Sequence, residues 1–248
     1  MMNWRVWTIL VNWGLVGVAA PVSETAVEVE VTPLAHGVWL HKSWQDAGEW
    51  GRVSSNGLIV REGDHLVVID TAWGAEPSLL LLDWIDRELG LPVNRLIVTH
   101  FHNDRLGGWE VFAERGARVI ASKRTLELAE VEPTDAFDLY ELNSGETMMS
   151  GSMEISYPGP AHAEDNVVVW LAATKLLAGG CAVRAAESNG MGNVADATIS
   201  EWANAMRRVQ HTFPETERVL PGHGAIGDFE MIQHTIDLAE EAAKSPGD

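Results

Sequence analysis

The chain has 248 residues, of which 46% are hydrophobic, and this composition suits one sizeable folded domain and excludes a largely disordered protein. Its formal net charge of −19 at pH 7 excludes nucleic acid as a natural partner, because a strongly acidic surface repels phosphate backbones. The same charge gives no general attraction for anionic substrates, which must be drawn in by metal ions or by a local basic residue.

The first twenty residues have the composition of a secretory signal peptide. A single positive charge, Arg5, precedes an almost wholly apolar run over residues 6–20, and this run ends in the small residues of a cleavage site. We therefore expect a signal peptide over residues 1–20, with an approximate cleavage site, and one mature domain over residues 21–248 in the periplasm. The mature chain is expected to be a monomer without stable membrane association. The alternative is an uncleaved membrane anchor, for which the run is short.

Strand-like and helical runs alternate after residue 25 without a linker. Apolar and β-branched runs predict strands over residues 27–31, 38–41, 57–61, 66–70, 95–99, 153–157, 166–170, 175–178 and 218–220. Helical periodicity predicts helices over residues 78–89, 107–114, 123–131, 199–211 and 229–244. Thr198 and Glu201 have the spacing of a capping box at the fourth helix. This order indicates an α/β fold of two similar halves, packed sheet against sheet with the helices outside.

The segment after the fifth predicted strand has the spacing of a metal site. His100, His102 and Asp104 stand two residues apart, and in an extended or loop segment such positions project to one side. The alternative is a pair of surface histidines beside a capping aspartate. Three further candidate ligands favour the metal site, because His162, Cys181 and His223 each follow another strand-like run beside glycine or proline. Strand carboxyl ends meet at one edge of an α/β sheet, so all six side chains can converge.

The six candidate ligands divide into two sets. His100, His102 and His162 would form a three-histidine site with an open fourth position, which is typical of catalytic zinc. The other set, Asp104, Cys181 and His223, mixes carboxylate, thiolate and imidazole, and such a mixture suits zinc better than magnesium or calcium. Cys181 is the single cysteine, so it cannot form an internal disulfide in an exported chain, and the alternative to ligation is an inert buried thiol.

Eight tryptophans follow residue 20. Those expected to pack in the core or against helices are Trp73, Trp84, Trp109, Trp170 and Trp202. Trp44 and Trp50 differ, because they lie in the polar, glycine-bearing segment 43–51, which predicts an exposed hairpin flap able to close over an apolar part of a substrate. The alternative is two incidental surface aromatics. Histidines without a partner pattern are treated as structural or exposed; these are His36, His41, His65, His211 and His234.

Six sequence signatures resemble those of the subclass B1 metallo-β-lactamases, and within them the Verona integron-encoded branch. The matching segments are residues 55–61, 69–74, 100–108, 179–182, 192–197 and 221–224. The resemblance covers nearly the whole mature chain and implies an αββα sandwich with the metal site at the seam, two zinc ions per chain, and hydrolysis of penicillins, cephalosporins and carbapenems with resistance as the result. It implies the same six ligands that the spacing proposes.

The resemblance also implies a mechanism in which a metal-bound hydroxide attacks the lactam carbonyl. Asp104 would ligate zinc and orient the nucleophile, and the Asn193 amide would stabilise the oxyanion. Arg184 stands where many relatives have a lysine that contacts the substrate carboxylate, and the alternative is a solvated surface arginine. Members of the Verona branch often have a second arginine where this chain has Ser188, so the resemblance does not imply which β-lactams are preferred.

Two classes of alternative function stay open. The first is another hydrolase of the same superfamily, a thioesterase, lactonase or phosphodiesterase, because fold alone does not fix chemistry. Such relatives typically have a histidine directly after the aspartate and no ligand cysteine, whereas this chain has Arg105 and Cys181. The second is a non-catalytic periplasmic zinc-binding protein, which would close the coordination that three histidines leave open.

Overall fold

The computed structural model describes residues 7–8 and 28–244. Most of the predicted signal peptide, residues 1–6 and 9–20, therefore lies outside the described residues, as does Val27 at the start of the first predicted strand. No helix in the described ranges has both the length and the apolar character needed to cross a bilayer.

Two sheets form the centre of the part of the chain that the structure describes. The first has eight strands bonded in chain order: Trp7–Thr8 (β1), Val29–Ala35 (β2), Val38–Asp46 (β3), Arg52–Glu62 (β4), His65–Ile69 (β5), Val93–Ile97 (β6), Arg118–Ser122 (β7) and Phe137–Tyr140 (β8). The second has five strands in the order β13-β12-β11-β10-β9, with the bounds Thr147–Ser150 (β9), Met153–Ser156 (β10), Val168–Leu171 (β11), Leu176–Gly180 (β12) and Arg218–Pro221 (β13).

Five α-helices of the described residues cover the outer faces of the sheets. Their bounds are Ala75–Glu88 (α1), Trp109–Glu114 (α2), Lys123–Leu128 (α3), Ile199–Thr212 (α4) and Glu230–Lys244 (α5). A 3-10 turn, Gly48–Trp50, joins β3 to β4. The predicted helices are all present, and Gly116, with a φ of 89°, follows the end of α2.

Alternation along the strands builds three apolar layers. In β5, Leu66 and Val68 face a cluster with α1 and α2, whereas Val67 and Ile69 face a cluster shared with the second sheet. A third cluster packs the outer face of the second sheet against α4 and α5 around the fully buried Trp202. Because successive side chains point to opposite faces of a strand, β5 contributes to both of the clusters that flank the first sheet. The predicted αββα sandwich of two halves is confirmed.

Four strands of the described residues are missing from the sequence prediction, namely β1, β7, β8 and β9. Each has only two to five residues, and β1, β8 and β9 lie at sheet edges, so pairing with a neighbour stabilises them more than their own apolar pattern does. Strands β3 and β4 are also longer than predicted, because their polar ends pair in register from Lys42 opposite Asn56 to Asp46 opposite Arg52. The predicted loop 43–51 is therefore part strand, because residues 43–46 belong to β3 and residues 47–51 form the turn of the hairpin.

The predicted capping box at α4 is wrong. The Thr198 side chain makes no capping hydrogen bond. Its backbone N–H instead donates to the Ala161 carbonyl at 2.8 Å, and its own carbonyl accepts from the Glu201 N–H at 3.0 Å. Backbone contact therefore fixes the start of α4 beside the loop that bears His162.

His41, expected to be structural or exposed, lies on β3 opposite Gly57 of β4 and is completely buried. Its Nε2 donates to the Asp70 carbonyl at 3.1 Å, and the space beside the ring exists only because residue 57 is glycine. A Cβ at Gly57 would lie 2.2 Å from His41 Nε2. Burial lowers the pKa of His41 from 6.5 to about 4, so the ring is neutral in the folded protein at neutral pH.

This burial predicts an acid-sensitive contribution to stability. The pKa of His41 is lower in the folded protein than in the unfolded chain, so the neutral ring contributes to stability above pH 6.5. As pH falls from 6.5 toward 4, His41 of the unfolded chain binds a proton that the folded protein does not, and this contribution is lost. Denaturant unfolding of wild type and His41→Gln at pH 7 and pH 4 measures it. We expect acidification to destabilise wild type more than the variant by up to about 3 kcal/mol. A pH-independent difference between the two proteins would contradict the assignment.

Candidate metal centre

All six predicted ligands lie at one edge of the sandwich, where the two sheets meet. His100, His102 and Asp104 belong to the loop after β6, and His162 to the loop between β10 and β11. Cys181 follows β12 directly, and His223 follows the parallel neighbour β13. Four separate strand ends therefore deliver the six side chains to the seam, as their positions in the sequence predict.

The three predicted histidines of the first set are in contact through one nitrogen each. The His102 Nδ1 atom lies 3.1 Å from His100 Nε2 and 3.1 Å from His162 Nε2. Nitrogens at the corners of a zinc tetrahedron are about 3.3 Å apart, given Zn–N bonds of about 2.0–2.1 Å. Burial, with the neighbouring imidazoles, lowers the pKa of His162 to about 3 and that of His100 well below 6.5. The His100 and His162 rings are thus neutral and offer lone pairs, and with the spacing of the three nitrogens this fits zinc.

The second set has the same compactness with three different donors. Cys181 Sγ lies 3.7 Å from Asp104 Oδ2 and 3.3 Å from His223 Nε2, and those last two atoms are 3.4 Å apart. The ligand atoms of His100, Asp104 and Cys181 all lie within 4.8 Å of one another, so the two sets adjoin. Burial raises the pKa of the metal-free Cys181 thiol, although Arg105 opposes the shift. Metal binding here must therefore displace a proton.

Arg105 links the second set to the protein interior and is completely buried. Its guanidinium lies 2.9 Å from Asp104 Oδ2 and 3.4 Å from Asp70 Oδ2, and it donates to Cys181 Sγ at 3.2 Å and to the Gly222 carbonyl at 2.7 Å. Burial opposes the charge on Asp104, but Arg105 and nearby histidines outweigh it and hold the pKa of Asp104 below 3.8. Arg105 thus keeps this ligand ionised.

Two histidine ligands are oriented by a hydrogen bond from their second nitrogen. His102 Nε2 donates to Asp196 Oδ2 at 2.9 Å, and His223 Nδ1 donates to the Ser54 carbonyl at 2.6 Å. These contacts leave His102 Nδ1 and His223 Nε2 free for metal. Asp196 is not among the site residues predicted from the sequence, although an acidic residue inside the glycine-bearing segment 192–197 was the available signal.

The loops that bear the ligands are fixed by buried amide and indole groups. Asn56 Nδ2 donates to the carbonyls of Pro221 and Gly224, on either side of His223. Asn166 accepts from the Ala163 N–H at 3.0 Å, and Trp202 Nε1 donates to the Ala182 carbonyl at 2.7 Å. Buried polar groups need partners, so these hydrogen bonds hold the backbone beside His162, Cys181 and His223 in place without a metal ion.

A cavity of ≈670 Å³ opens over both ligand sets. Its lining includes Trp50, Trp73, Arg184, Asn193 and Asp196 together with four of the six ligands. Three predicted substrate-contact residues, Trp50, Arg184 and Asn193, therefore line it. Trp44 does not line it and lies on β3 with the Arg52 guanidinium 5.8 Å above its ring.

The position of Trp73 differs from the prediction. It was predicted to be a core residue, but it is only half-buried, lines the cavity and lies with its ring 5.9 Å from that of His223. The reason is its place in the turn between β5 and α1, which opens toward the ligand loops. Trp84, Trp170 and Trp202 are buried, and Trp109 packs against the core, as predicted.

Comparisons with known proteins agree on one family. Residues 50–223 match the family model described as the metallo-β-lactamase superfamily. A metallo-β-lactamase type 2 from Bacillus cereus is 36% identical over 213 residues, which cover 85% of this chain and 82% of that protein. A metallo-β-lactamase from Pontibacter korlensis superposes with a TM-score of 0.79 at 37% identity, over 86% of this chain and 99% of that one. FIM-1 from Pseudomonas aeruginosa, solved in a mono-zinc form, gives 0.81 at 32% identity over 87% and 96%.

Proposed function

The chain belongs to the metallo-β-lactamase superfamily, and from that premise we propose that it is a zinc-dependent β-lactam hydrolase of the type 2, subclass B1 kind. The observation that carries the proposal is the pair of adjoining ligand sets, three histidines beside Asp104, Cys181 and His223. Cys181 and Arg105 are the features that separate this site from those of the thioesterase, lactonase and RNA-processing relatives.

We propose two zinc ions per chain, one in each set. Zinc, when bound, supplies Lewis acidity and a nucleophilic water at neutral pH. His100, His102 and His162 would hold the first ion and leave a coordination position facing the cavity. The second ion would replace the proton of Cys181, so its affinity is expected to fall as pH is lowered.

The residues around the ligands have separate tasks in amide hydrolysis. Asp104 stays ionised beside Arg105 and can orient the attacking water. Asn193 lines the cavity, and its Oδ1 accepts from the Ala195 N–H at 3.1 Å, which leaves its NH₂ group as a donor for the developing oxyanion. Trp50 is exposed and, with Trp73, gives the cavity apolar walls for the rest of the substrate.

Arg184 is the cavity residue suited to the carboxylate that β-lactams bear. Its Nε donates to the Gly190 carbonyl at 3.0 Å, which fixes the side chain and leaves the terminal nitrogens available. We expect Arg184→Ala to raise KM for an anionic penicillin about tenfold without a change in zinc content. Steady-state kinetics measure this, with Arg87→Ala as a charge-matched control on the exposed face of α1. An unchanged KM would remove Arg184 from the site.

The competing functions make different predictions for a substrate panel. The purified zinc-loaded protein is offered a penicillin, a glutathione thioester, an acyl-homoserine lactone and a phosphodiester at matched concentrations. We expect rapid turnover of the penicillin alone. Turnover of the thioester, lactone or diester in its place would favour the other superfamily hydrolases, and no turnover by a protein with two zinc ions bound would favour a zinc-binding protein.

Three finer proposals concern lineage, location and assembly. We propose the Verona integron-encoded branch on the strength of the matching signatures, and a tree of subclass B1 sequences that groups the chain elsewhere would contradict it. We propose export to the periplasm with removal of residues 1–20 or close to them, which would remove β1 and leave strands β2 to β8 in the first sheet. Mass spectrometry of the protein from a periplasmic extract measures the cleavage site, and gel filtration tests the expected monomer.

A further inference from the structure

The loop that bears Arg184, residues 182–190, is joined to helix α5 by two hydrogen bonds. The Arg184 N–H donates to the Thr235 hydroxyl at 2.9 Å. His234 Nε2 lies 2.9 Å from the carbonyl oxygen of Ser188, and since a carbonyl only accepts, the imidazole is the donor. His234 was expected to be structural or exposed, but it is half-buried and contacts the loop that carries a proposed substrate-contact residue. Two adjacent residues of α5 thus hold this loop at two points.

The Thr235 hydroxyl fixes the backbone of Arg184. Thr235 is fully buried, and its hydroxyl donates to the Met231 carbonyl, one helical turn earlier, at 2.8 Å. Because its proton is committed to Met231, the oxygen presents a lone pair to the Arg184 N–H. Helix α5 packs in the apolar cluster around Trp202, so this bond sets the Arg184 backbone relative to a rigid part of the second half.

His234 acts further along the loop and reaches the Arg184 side chain through it. Ser188 closes a turn, because its N–H donates to the Ala185 carbonyl at 2.9 Å, and its own carbonyl accepts from His234. Two residues later, the Gly190 carbonyl accepts from Arg184 Nε at 3.0 Å. Loss of the His234 bond would free the Ser188 peptide, and with it the position of the carbonyl that orients the guanidinium.

A separate contact joins the same loop to the metal centre. Glu187 Oε1 accepts from the Ala225 N–H at 2.9 Å, and Ala225 follows His223 by two residues. This bond does not involve His234, so we expect the backbone beside His223 to stay in place when His234 is replaced. Zinc content and the chemical step should then be unchanged, and only the orientation of Arg184 should vary.

We propose that His234 and Thr235 are positioning residues that hold Arg184 in one orientation for the carboxylate of the substrate. The inference rests on the proposed β-lactam hydrolysis and on Arg184 as the carboxylate contact. An arginine side chain loses much conformational freedom when it is ordered, and an anchor that orders it beforehand removes this cost from binding. A carboxylate that does not react is bound alike in the ground state and the transition state, so the benefit is expected in KM rather than in kcat.

Steady-state kinetics of the zinc-loaded enzyme test the proposal with paired variants and paired substrates. We expect His234→Ala to raise KM for benzylpenicillin about fivefold at unchanged kcat, and His234→Gln, whose amide nitrogen can donate in place of Nε2, to restore it. The methyl ester of benzylpenicillin lacks the anionic carboxylate, so its inhibition constant as a competitor should be the same in wild type and His234→Ala. In an Arg184→Ala background, His234→Ala should add nothing, because His234 acts through Arg184. His211→Ala, which replaces an exposed histidine of α4, is the matched control and should leave KM unchanged.

Backbone order parameters from NMR test the anchor without turnover. We expect values of about 0.85 over residues 188–190 in wild type and His234→Gln, and values below about 0.6 in His234→Ala. Thr235→Val keeps the shape of the side chain and should lower the order parameter of the Arg184 amide. Equal order parameters in wild type and His234→Ala, an equal loss of affinity for the ester, or an additive rise in KM in the double variant would each overturn the proposal. If the zinc-loaded wild type hydrolyses no β-lactam, the proposed function fails, whereas the order parameters still decide whether His234 holds the loop.

Discussion

Replacing Cys181 by serine is expected to abolish tight binding of one zinc ion while the three-histidine set stays loaded. The thiol lies within 3.7 Å of both Asp104 and His223, and the hydroxyl of serine is a far poorer zinc ligand than a thiolate. We expect the affinity for the second zinc to fall at least about 100-fold, because loss of a ligand costs more than loss of an outer contact. Metal analysis after dialysis measures it, and retention of two tight zinc ions would contradict the ligand assignment.

His162→Asn is the reciprocal variant for that experiment. It removes a ligand of the first set and leaves Asp104, Cys181 and His223 in place. With cobalt in place of zinc, we expect His162→Asn to keep the near-ultraviolet band of a metal–thiolate bond and Cys181→Ser to lose it. The same band in both variants would show that Cys181 is not the ligand of the second site.

Replacing Arg105 by leucine is expected to have the largest effect on stability. The substitution leaves Asp104 and Asp70 as buried carboxylates without their cation, and it also removes donors from the Asn56 and Gly222 carbonyls. Uncompensated buried charge costs about 3–5 kcal/mol. Urea unfolding of the metal-free proteins measures the loss without the contribution of zinc binding.

Arg115→Leu is the matched control for that measurement. Arg115 pairs with Asp83 and Asp86 at 2.8 and 2.7 Å, but all three side chains are exposed. Exposed ion pairs contribute about 0–1 kcal/mol, so the control should unfold nearly as wild type does. If Arg105→Leu were no less stable than Arg115→Leu, the buried network would not hold the site in the way the contacts imply.

The convergence of the six candidate ligands was predictable from sequence because the chemistry of these side chains and their positions after strands agree. Each of His100, His162, Cys181 and His223 lies just beyond a strand, and strand ends are among the positions that sequence patterns locate best. The two-layer fold was predictable for a related reason, since continuous apolar runs such as 66–69 indicate strands that are buried on both faces.

The features that could not be predicted from the sequence depend on contacts between distant segments. Asp196 is hydrogen-bonded to His102 although the two residues are 94 positions apart, and no local spacing encodes that contact. Trp73 has the composition of a core residue, but the direction of its turn exposes one face to the cavity. His41 is buried only because Gly57 lies opposite in the neighbouring strand, which depends on the register between β3 and β4. Short edge strands such as β9 likewise form through their partners.

Turnover of a carbapenem that returns with zinc would show that these six residues hold zinc for β-lactam hydrolysis. Metal is removed with EDTA, the chelator is dialysed away, and hydrolysis is followed as zinc is returned in measured equivalents. The site geometry predicts no hydrolysis without metal and recovery that is complete once two equivalents are bound. Carbapenem hydrolysis that persists in the metal-free protein, or no hydrolysis with both sites loaded, would contradict the assignment.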